Sequence, residues 1–339
     1  LEWFGLQALR DRVETTEVDF MQPLCGLAPD RYQALCARAG QIIHCASDTR
    51  FSEQHRRQST ATNVESLVQI IELARNCNAP WFHYVSTAYA AGTAVSFCPE
   101  APVTAETFVN VYEETKARAE REVAGRCQMH GIPFTIIRPS IVYGDSSSGR
   151  ANRFNALYTN VKSLYYISEI YRKDIHEHGG RKARECGISL DDQGVLHLPL
   201  QVAVAHQGHV NLISIDYFVT ATLAILEQAQ PGAIYHLTSD NPKTLEELAS
   251  YCEKFLHLHG IKIVYGQPNT RALTPPEAMF NRFIEPYLPY LADTRTFERS
   301  NTIAATADLH PPELNYDVFA RCMAYAVRVN WGRGLLAQL

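Results

Sequence analysis

Residues Phe82-His-Tyr-Val-Ser-Thr-Ala-Tyr-Ala-Ala-Gly92 decide how the rest of this chain is read. The apolar run from Trp81 to Val85 suits a parallel strand covered on both faces. It ends in two hydroxyls, Ser86 and Thr87, and ligands of such sheets bind at the carboxyl ends of the strands. Downstream, Val111–His130 reads as a long helix that opens Val-Tyr112-Glu-Glu-Thr-Lys116. A second strand, Phe134–Ile137, then runs into the turn Arg138-Pro139-Ser140. Two strand ends and one helix thus aim a hydroxyl, a phenol and an ammonium at one place, the layout of a proton-and-hydride site.

Tyr112 and Lys116 lie one helical turn apart on one face. A free phenol titrates at about 10, so it is a poor acid or base near neutral pH unless a cation stabilises its phenolate. Lys116 is placed to supply that cation. The same spacing arises by chance, and Tyr158-Thr-Asn-Val-Lys162 is such an instance in this chain. Only the first pair follows a strand ending in hydroxyls and precedes an Arg-Pro-Ser turn. It is therefore the expected catalytic pair.

With those residues the chain resembles the extended short-chain dehydrogenase/reductases, and most closely their thioester reductase and fatty acyl-CoA reductase branch. The phrases that resemble it are Ile43-His-Cys-Ala-Ser-Asp-Thr-Arg-Phe51, Val85-Ser-Thr-Ala-Tyr-Ala-Ala-Gly92, Tyr112-Glu-Glu-Thr-Lys116, Arg138-Pro-Ser-Ile-Val-Tyr-Gly-Asp145 and Val210-Asn-Leu-Ile-Ser-Ile-Asp-Tyr217. The resemblance implies an α/β fold: a doubly wound parallel-sheet Rossmann domain with a smaller C-terminal substrate domain. Residues 1–150, joined by about 210–240, are the expected NAD(P)-binding part, and 151–339 mostly the substrate part.

In that family Thr87, Tyr112 and Lys116 match the catalytic hydroxyl, phenol and lysine, which leaves Ser86 a structural role. Asp19 resembles the adenine-contacting Asp, with a turn or cap as its rival role. His44, Cys45, Ala46 and Ser47 match a stretch that lines the dinucleotide. Asn63 resembles an Asn that braces the site, with a plain helix cap as the alternative. Pro139, Ser140, Ile141 and Val142 match the segment that wraps the nicotinamide end, although Pro139 also makes sense as a strand terminator. Ala88 and Tyr89 are expected on the substrate side, and so are Phe154 and Tyr158. The aromatic stretch Phe154–Tyr171 reads equally well as the wall of an acyl cleft or as the core of the smaller domain.

One expected feature is absent. Neither Gly-x-Gly-x-x-Gly nor Gly-x-x-Gly-x-x-Gly occurs in the sequence. Val13–Asp19 matches the third strand of the family sheet, so the first two strands and their helix are expected to be missing from this sequence. The cofactor is expected to be NADP or NAD, NADPH in preference; the residue that separates the two belongs to the missing second strand.

Composition narrows the field. The chain has 339 residues, 46% hydrophobic and 20% charged, with a net charge of -5. That balance suits a soluble globular protein and gives no reason to invoke nucleic acid or an acidic membrane surface. No apolar run approaches the length of a membrane span and no leader is evident, so a cytoplasmic location is expected. Nine cysteines without a Cys-x-x-Cys pair favour reduced thiols. His176-Glu-His178 and His257-Leu-His259 lack further ligands at a recognisable spacing, so no metal is expected.

Along the rest of the chain, 1–12 is helix-like, Ala28–Ala39 a helix and Gln41–His44 a short strand. Thr60–Asn76 is an amphipathic helix and Thr93–Asn110 a loop. Residues 172–209 are expected to be loop, Val210–Ile215 a strand, Asp216–Gln228 a helix and Ala233–Leu237 the last sheet strand. Thr244–His257 is a helix whose Thr244 and Glu247 have capping-box spacing, and a last helix falls within Tyr316–Val329.

The expected reaction is hydride transfer from NAD(P)H to the carbonyl of an acyl thioester, on CoA or a carrier protein, or of the derived aldehyde. A sugar-nucleotide epimerase or dehydratase is the main alternative, with Arg150, Arg153 and Lys162 as candidate diphosphate contacts. A hydroxysteroid-type dehydrogenase is a further one, and a non-catalytic relative that lost its cofactor is the alternative of another class. A homodimer is compatible with the family.

Overall fold

Four parallel strands carry the candidate site, in the spatial order Gln41–His44, Trp81–Val85, Phe134–Pro139, Ile234–Leu237. The computed structural model describes residues 5–77, 81–93, 96–266 and 272–333. Of the expected N-terminal helix, residues 1–4 lie outside these, and Gln7–Arg12 is a 3-10 helix.

Neighbouring residues of a strand point to opposite faces, and the sheet uses both. Phe82, Tyr84, Phe134 and Ile136 pack against Leu67, Ile70 and Ile71 of the helix Leu67–Asn76 and Val123 of the helix Val111–His130. Ile137, one residue on, packs instead with Tyr217, Ala221 and Ile225 of the helix Ile215–Glu227. Helices on both faces of a parallel sheet are the doubly wound arrangement that the apolar runs required.

The long helix is set by local signals. Asn110 caps it, its Oδ1 accepting from Glu113 N at 3.0 Å, and two acidic residues fill the first turn. Gly131 ends it with φ +65°, the left-handed conformation glycine adopts without a Cβ penalty.

The C-terminal half builds a separate core. Leu196–Val204 pairs in parallel with Leu258–Tyr265 and antiparallel with Ser189–Leu190. Its inward Leu196, Leu198, Leu200, Val202 and Val204 pack with Ile167 of the helix Leu157–Glu177, Phe280 of Pro275–Ile284 and Phe319 of Tyr316–Arg328. No helix among the described residues is long and apolar enough to cross a membrane.

Three local expectations are corrected. Residues 172–209 are not loop: the helix runs to Glu177, a short helix covers Arg181–Glu185, and a nine-residue strand follows. That strand carries Pro199 where the register moves from His259↔His197 to Ile261↔Leu200, so Pro199 sits in a β-bulge. Val13–Asp19 joins no sheet among the described residues and is largely exposed. Helical structure begins before Thr60: Arg56–Thr60 leads into a π turn, Ala61–Glu65, before Leu67–Asn76.

Candidate active site

Thr87 stands just past the end of the strand Trp81–Val85, 4% exposed, its backbone extended and its Oγ1 accepting from Tyr89 N at 3.4 Å. Tyr112 rises beside it from the first turn of the capped helix. Burial pushes the Tyr112 phenol up to about 12, against the opposing hydrogen bond from Thr87. One turn on, Lys116 is 1% exposed and donates from Nζ to the Val85 carbonyl at 2.6 Å. Burial brings its ammonium down to about 8, although the Glu120 carboxylate pulls the other way. Lys116 was expected to lower the phenol's pKa. In the structure its ammonium is committed to the strand end, and the phenol is raised.

These three groups open on a cleft of about 340 Å³ at the carboxyl ends of the strands. Cys45, Ser47, Tyr89 and Pro139 to Val142 line it as well. Ala46 and Ala88 do not line it. His44 lies behind the wall, stacked on Tyr84 with ring centroids 5.8 Å apart. Burial and the nearby Lys116 charge bring His44 down to about 4, which leaves it neutral.

Asn63 braces the site and caps nothing. Its Oδ1 accepts from Asp48 N at 2.7 Å and Ser47 Oγ at 3.1 Å, and its Nδ2 donates to Asp48 O and Thr115 Oγ1, both at 2.9 Å. It ties the loop after Gln41–His44 to the Tyr112 helix from within the π turn, a distortion that recurs at functional sites.

Other expected residues fall elsewhere. Asp19 is exposed in a turn, Oδ1 accepting from Met21 N at 2.9 Å, and is not part of the cleft. Phe154 and Tyr158 are corrected to core. Tyr158 accepts from Gly144 N at 3.0 Å, and Phe154 packs edge-on to it at 5.2 Å. Aromatic bulk next to a flexible Ser-Gly turn suited either place, and the adjoining Asn155 and Ala156 face the cleft instead.

Several wall residues were missed, Phe51, Tyr287 and Tyr290 among them. Phe51 contacts Tyr112, Tyr287 and Tyr290 with ring centroids 6.0, 5.5 and 5.6 Å away. Phe51 closes a phrase quoted above, which is the one signal that marked it. Tyr287 and Tyr290 sit among Pro286 and Pro289, where no periodicity singles them out.

Beneath the site Arg138 and Glu120 form a buried ion pair, 1% and 3% exposed, with contacts of 3.0 and 2.7 Å. Arg138 also donates to the Ala101 carbonyl at 3.0 Å, which roots the Arg-Pro-Ser turn.

A roomier hollow, about 1240 Å³, lies between Leu157–Glu177 and Pro275–Ile284. It holds none of Thr87, Tyr112 and Lys116 and is bordered by exposed Ile170 and Phe283, so the smaller cleft is the candidate site.

The cleft suits a dinucleotide. The small residues Cys45, Ala46 and Ser47 follow the edge strand. Two wall hydroxyls, Ser86 and Ser140, are buried without a hydrogen-bond partner among the described residues. A buried polar group left unpaired costs about 1–3 kcal/mol, which a ligand with a polar edge removes. Among the described residues no cluster of three metal-ligating side chains occurs.

The chain is similar to known proteins on both levels. Over 272 residues it is 28% identical to the hybrid PKS-NRPS synthetase pydA of an Acremonium species, 79% of this chain but 5% of that protein. Over 148 residues it is 26% identical to the aldehyde reductase lnaA of Aspergillus flavus, 38% of this chain and 14% of that one. The chain thus spans a small fraction of the curated relatives it matches. Among solved structures, the terminal R domain of the myxalamid PKS-NRPS pathway superposes with TM-score 0.73 at 18% identity, covering 98% of this chain and 79% of that one. A thiolation-reductase di-domain of an archaeal non-ribosomal peptide synthetase gives 0.66 at 14%, covering 96% and 64%. The UDP-glucuronic acid 4-epimerase of Bacillus cereus, in complex with NAD, gives 0.59 at 14%, covering 88% and 76%. These likenesses show the shared fold. The family model described as male sterility protein matches residues 2–187, more than half of the sequence, and the chain belongs to this NAD-binding family of extended short-chain dehydrogenase/reductases.

Proposed function

We propose that the chain is an NAD(P)H-dependent reductase that acts on the carbonyl of an acyl thioester, held on CoA or a carrier protein, or of the derived aldehyde. The observation that carries this reading is the cleft wall. Phe51, Tyr89, Tyr112, Tyr287 and Tyr290 supply aromatic surface, and Lys116 is the one charged residue among the described lining. Such a wall suits an acyl group and offers little to a sugar diphosphate. Arg150, Arg153 and Lys162, the basic residues a sugar-nucleotide enzyme would use, do not line the cleft.

In this reading the bound cofactor supplies the hydride. Thr87 and Tyr112 hydrogen-bond the carbonyl oxygen where negative charge develops, and Tyr112 gives up its proton there. Preorganised donors at such a position are worth about 3–4 kcal/mol each. Lys116, fixed on the Val85 carbonyl, keeps a cation beside the cofactor ribose. Cys45, Ser47, Ser86 and Pro139 to Val142 form the cofactor side, braced by Asn63. The C-terminal half provides the substrate side through Tyr287 and Tyr290, in line with a division near residue 150. The pairing with hybrid synthetases and with a thiolation-reductase di-domain supports a carrier-bound acyl substrate.

NADPH and NADH oxidation by the full-length protein tests the reading, with a medium-chain acyl-CoA, the matching aldehyde and a UDP-sugar as substrates. Thioester- or aldehyde-dependent oxidation is expected. Oxidation with none of them, together with no cofactor binding, would favour a non-catalytic binding relative.

A further inference from the structure

Tyr290 faces two ways. Its ring forms part of the cleft wall, edge-on to Tyr89 at 5.0 Å and against Phe51 at 5.6 Å. Its hydroxyl accepts a hydrogen bond from Asn110 Nδ2 at 2.8 Å, across 180 residues of sequence. Asn110 is the cap of the helix that presents Tyr112, two residues on.

The grip extends beyond that bond. Glu113 is wholly buried, accepts from Val109 N at 3.1 Å, and has Arg295 Nη2 3.8 Å away. Arg295 in turn pairs with Asp293 at 2.8 Å, donates to the Gly92 carbonyl at 2.9 Å, and lies over the Tyr89 ring at 4.9 Å. Residues 290–295 therefore hold both sides of the site: the start of the Tyr112 helix and the loop that follows Thr87.

We propose that Tyr290 is a specificity and positioning residue. Its ring contacts the acyl tail, and its hydroxyl sets the orientation of the helical turn that presents Tyr112. The inference rests on the reductase reading and deepens it. A tail that seats well against the ring leaves the Asn110 bond in place. A tail that displaces the ring pulls on the cap, and a misplacement of about 1 Å at a reacting group is enough to cost up to about a hundredfold in rate. Tail fit is then read out as turnover as well as affinity.

Steady-state kinetics of the full-length protein with NADPH and short-, medium- and long-chain acyl-CoA thioesters tests this. Tyr290→Phe keeps the ring and loses the hydroxyl bond. Its kcat should fall about tenfold on the misplacement argument, with KM and chain-length preference unchanged. Tyr290→Leu removes the ring and should raise KM for the longer tails and shift the preference. Asn110→Ser keeps a good cap but is too short to reach Tyr290. It should lose kcat as Tyr290→Phe does, and the double variant should lose less than the two single losses combined, because both remove the Asn110–Tyr290 link while Tyr290→Phe also removes the hydroxyl's contact with Glu113.

A Tyr290→Phe variant as active as the wild type overturns the inference, and so do additive losses in the double variant. So does a loss of activity that tracks a lowered melting temperature in both single variants. A wild type with no thioester- or aldehyde-dependent oxidation overturns the reductase reading and this inference together. An active wild type whose Tyr290→Phe variant keeps the full kcat overturns this inference alone.

Discussion

The ammonium of Lys116 donates to the carbonyl of Val85 at 2.6 Å, which pins the helix Val111–His130 to the end of the strand Trp81–Val85. The bond holds a cation where the proposed reaction would use one and keeps that cation out of water, so its protonation is fragile.

Turnover should therefore have an alkaline limb near pH 8. Burial lowers Lys116 to about 8 and raises Tyr112 to about 12, so the ammonium is lost long before the phenol ionises. The charged lysine is present below about pH 8 and gone above it, and activity that depends on it falls as pH rises through that value. A pH profile of NAD(P)H oxidation checks this. The same limb in Lys116→Met would assign it to another group.

Tyr112→Phe should reduce turnover about 10²- to 10⁴-fold, the usual contribution of a positioned proton donor. Cofactor affinity should stay as it is, because the ring and its packing on Phe51 remain. Fluorescence titration with NADPH beside single-turnover kinetics measures the two separately. Parallel loss of both would remove Tyr112 from the proton-donor role.

Asn63→Leu replaces a buried amide that makes four hydrogen bonds. It leaves the Asp48 N–H without this partner, and Thr115 Oγ1 with its bond to the Tyr112 carbonyl alone, at a cost of about 1–3 kcal/mol per buried group left unpaired. Urea midpoints should drop accordingly, and amide exchange in 45–51 should quicken. Unaltered exchange in that loop would mean that Asn63 does not hold it.

Glu120→Gln strands a guanidinium that is 1% exposed. Breaking a buried pair from one side costs about 3–5 kcal/mol, whereas replacing both partners is far milder. Glu120→Leu combined with Arg138→Met should therefore be more stable than Glu120→Gln alone. Thermal melts of the three proteins decide it.

How much of this was readable beforehand depended on range. The Tyr112–Lys116 spacing and the helix Val111–His130 that carries it are encoded within a few helical turns, and the structure has both. The run Leu196–Val204 alternates in burial along its whole length, yet it lies in a stretch expected to be loop, and only a neighbouring strand with a bulge makes its central proline tolerable. Phe154 and Tyr158 had the right chemistry for a cleft, but side-chain type does not say on which side of a wall a ring lies.

The sequence by itself determined the four strands that carry the site and the face of the helix on which phenol and ammonium stand, because helix and strand periods are local properties of the backbone. Only the tertiary structure decided what those groups touch. It sent the Lys116 proton to Val85, brought Tyr290 to Asn110 across 180 residues, and left the Ser86 and Ser140 hydroxyls buried without partners among the described residues. Those outcomes depend on how separate elements pack and on which polar groups lose water when they do, and no spacing along the chain records that.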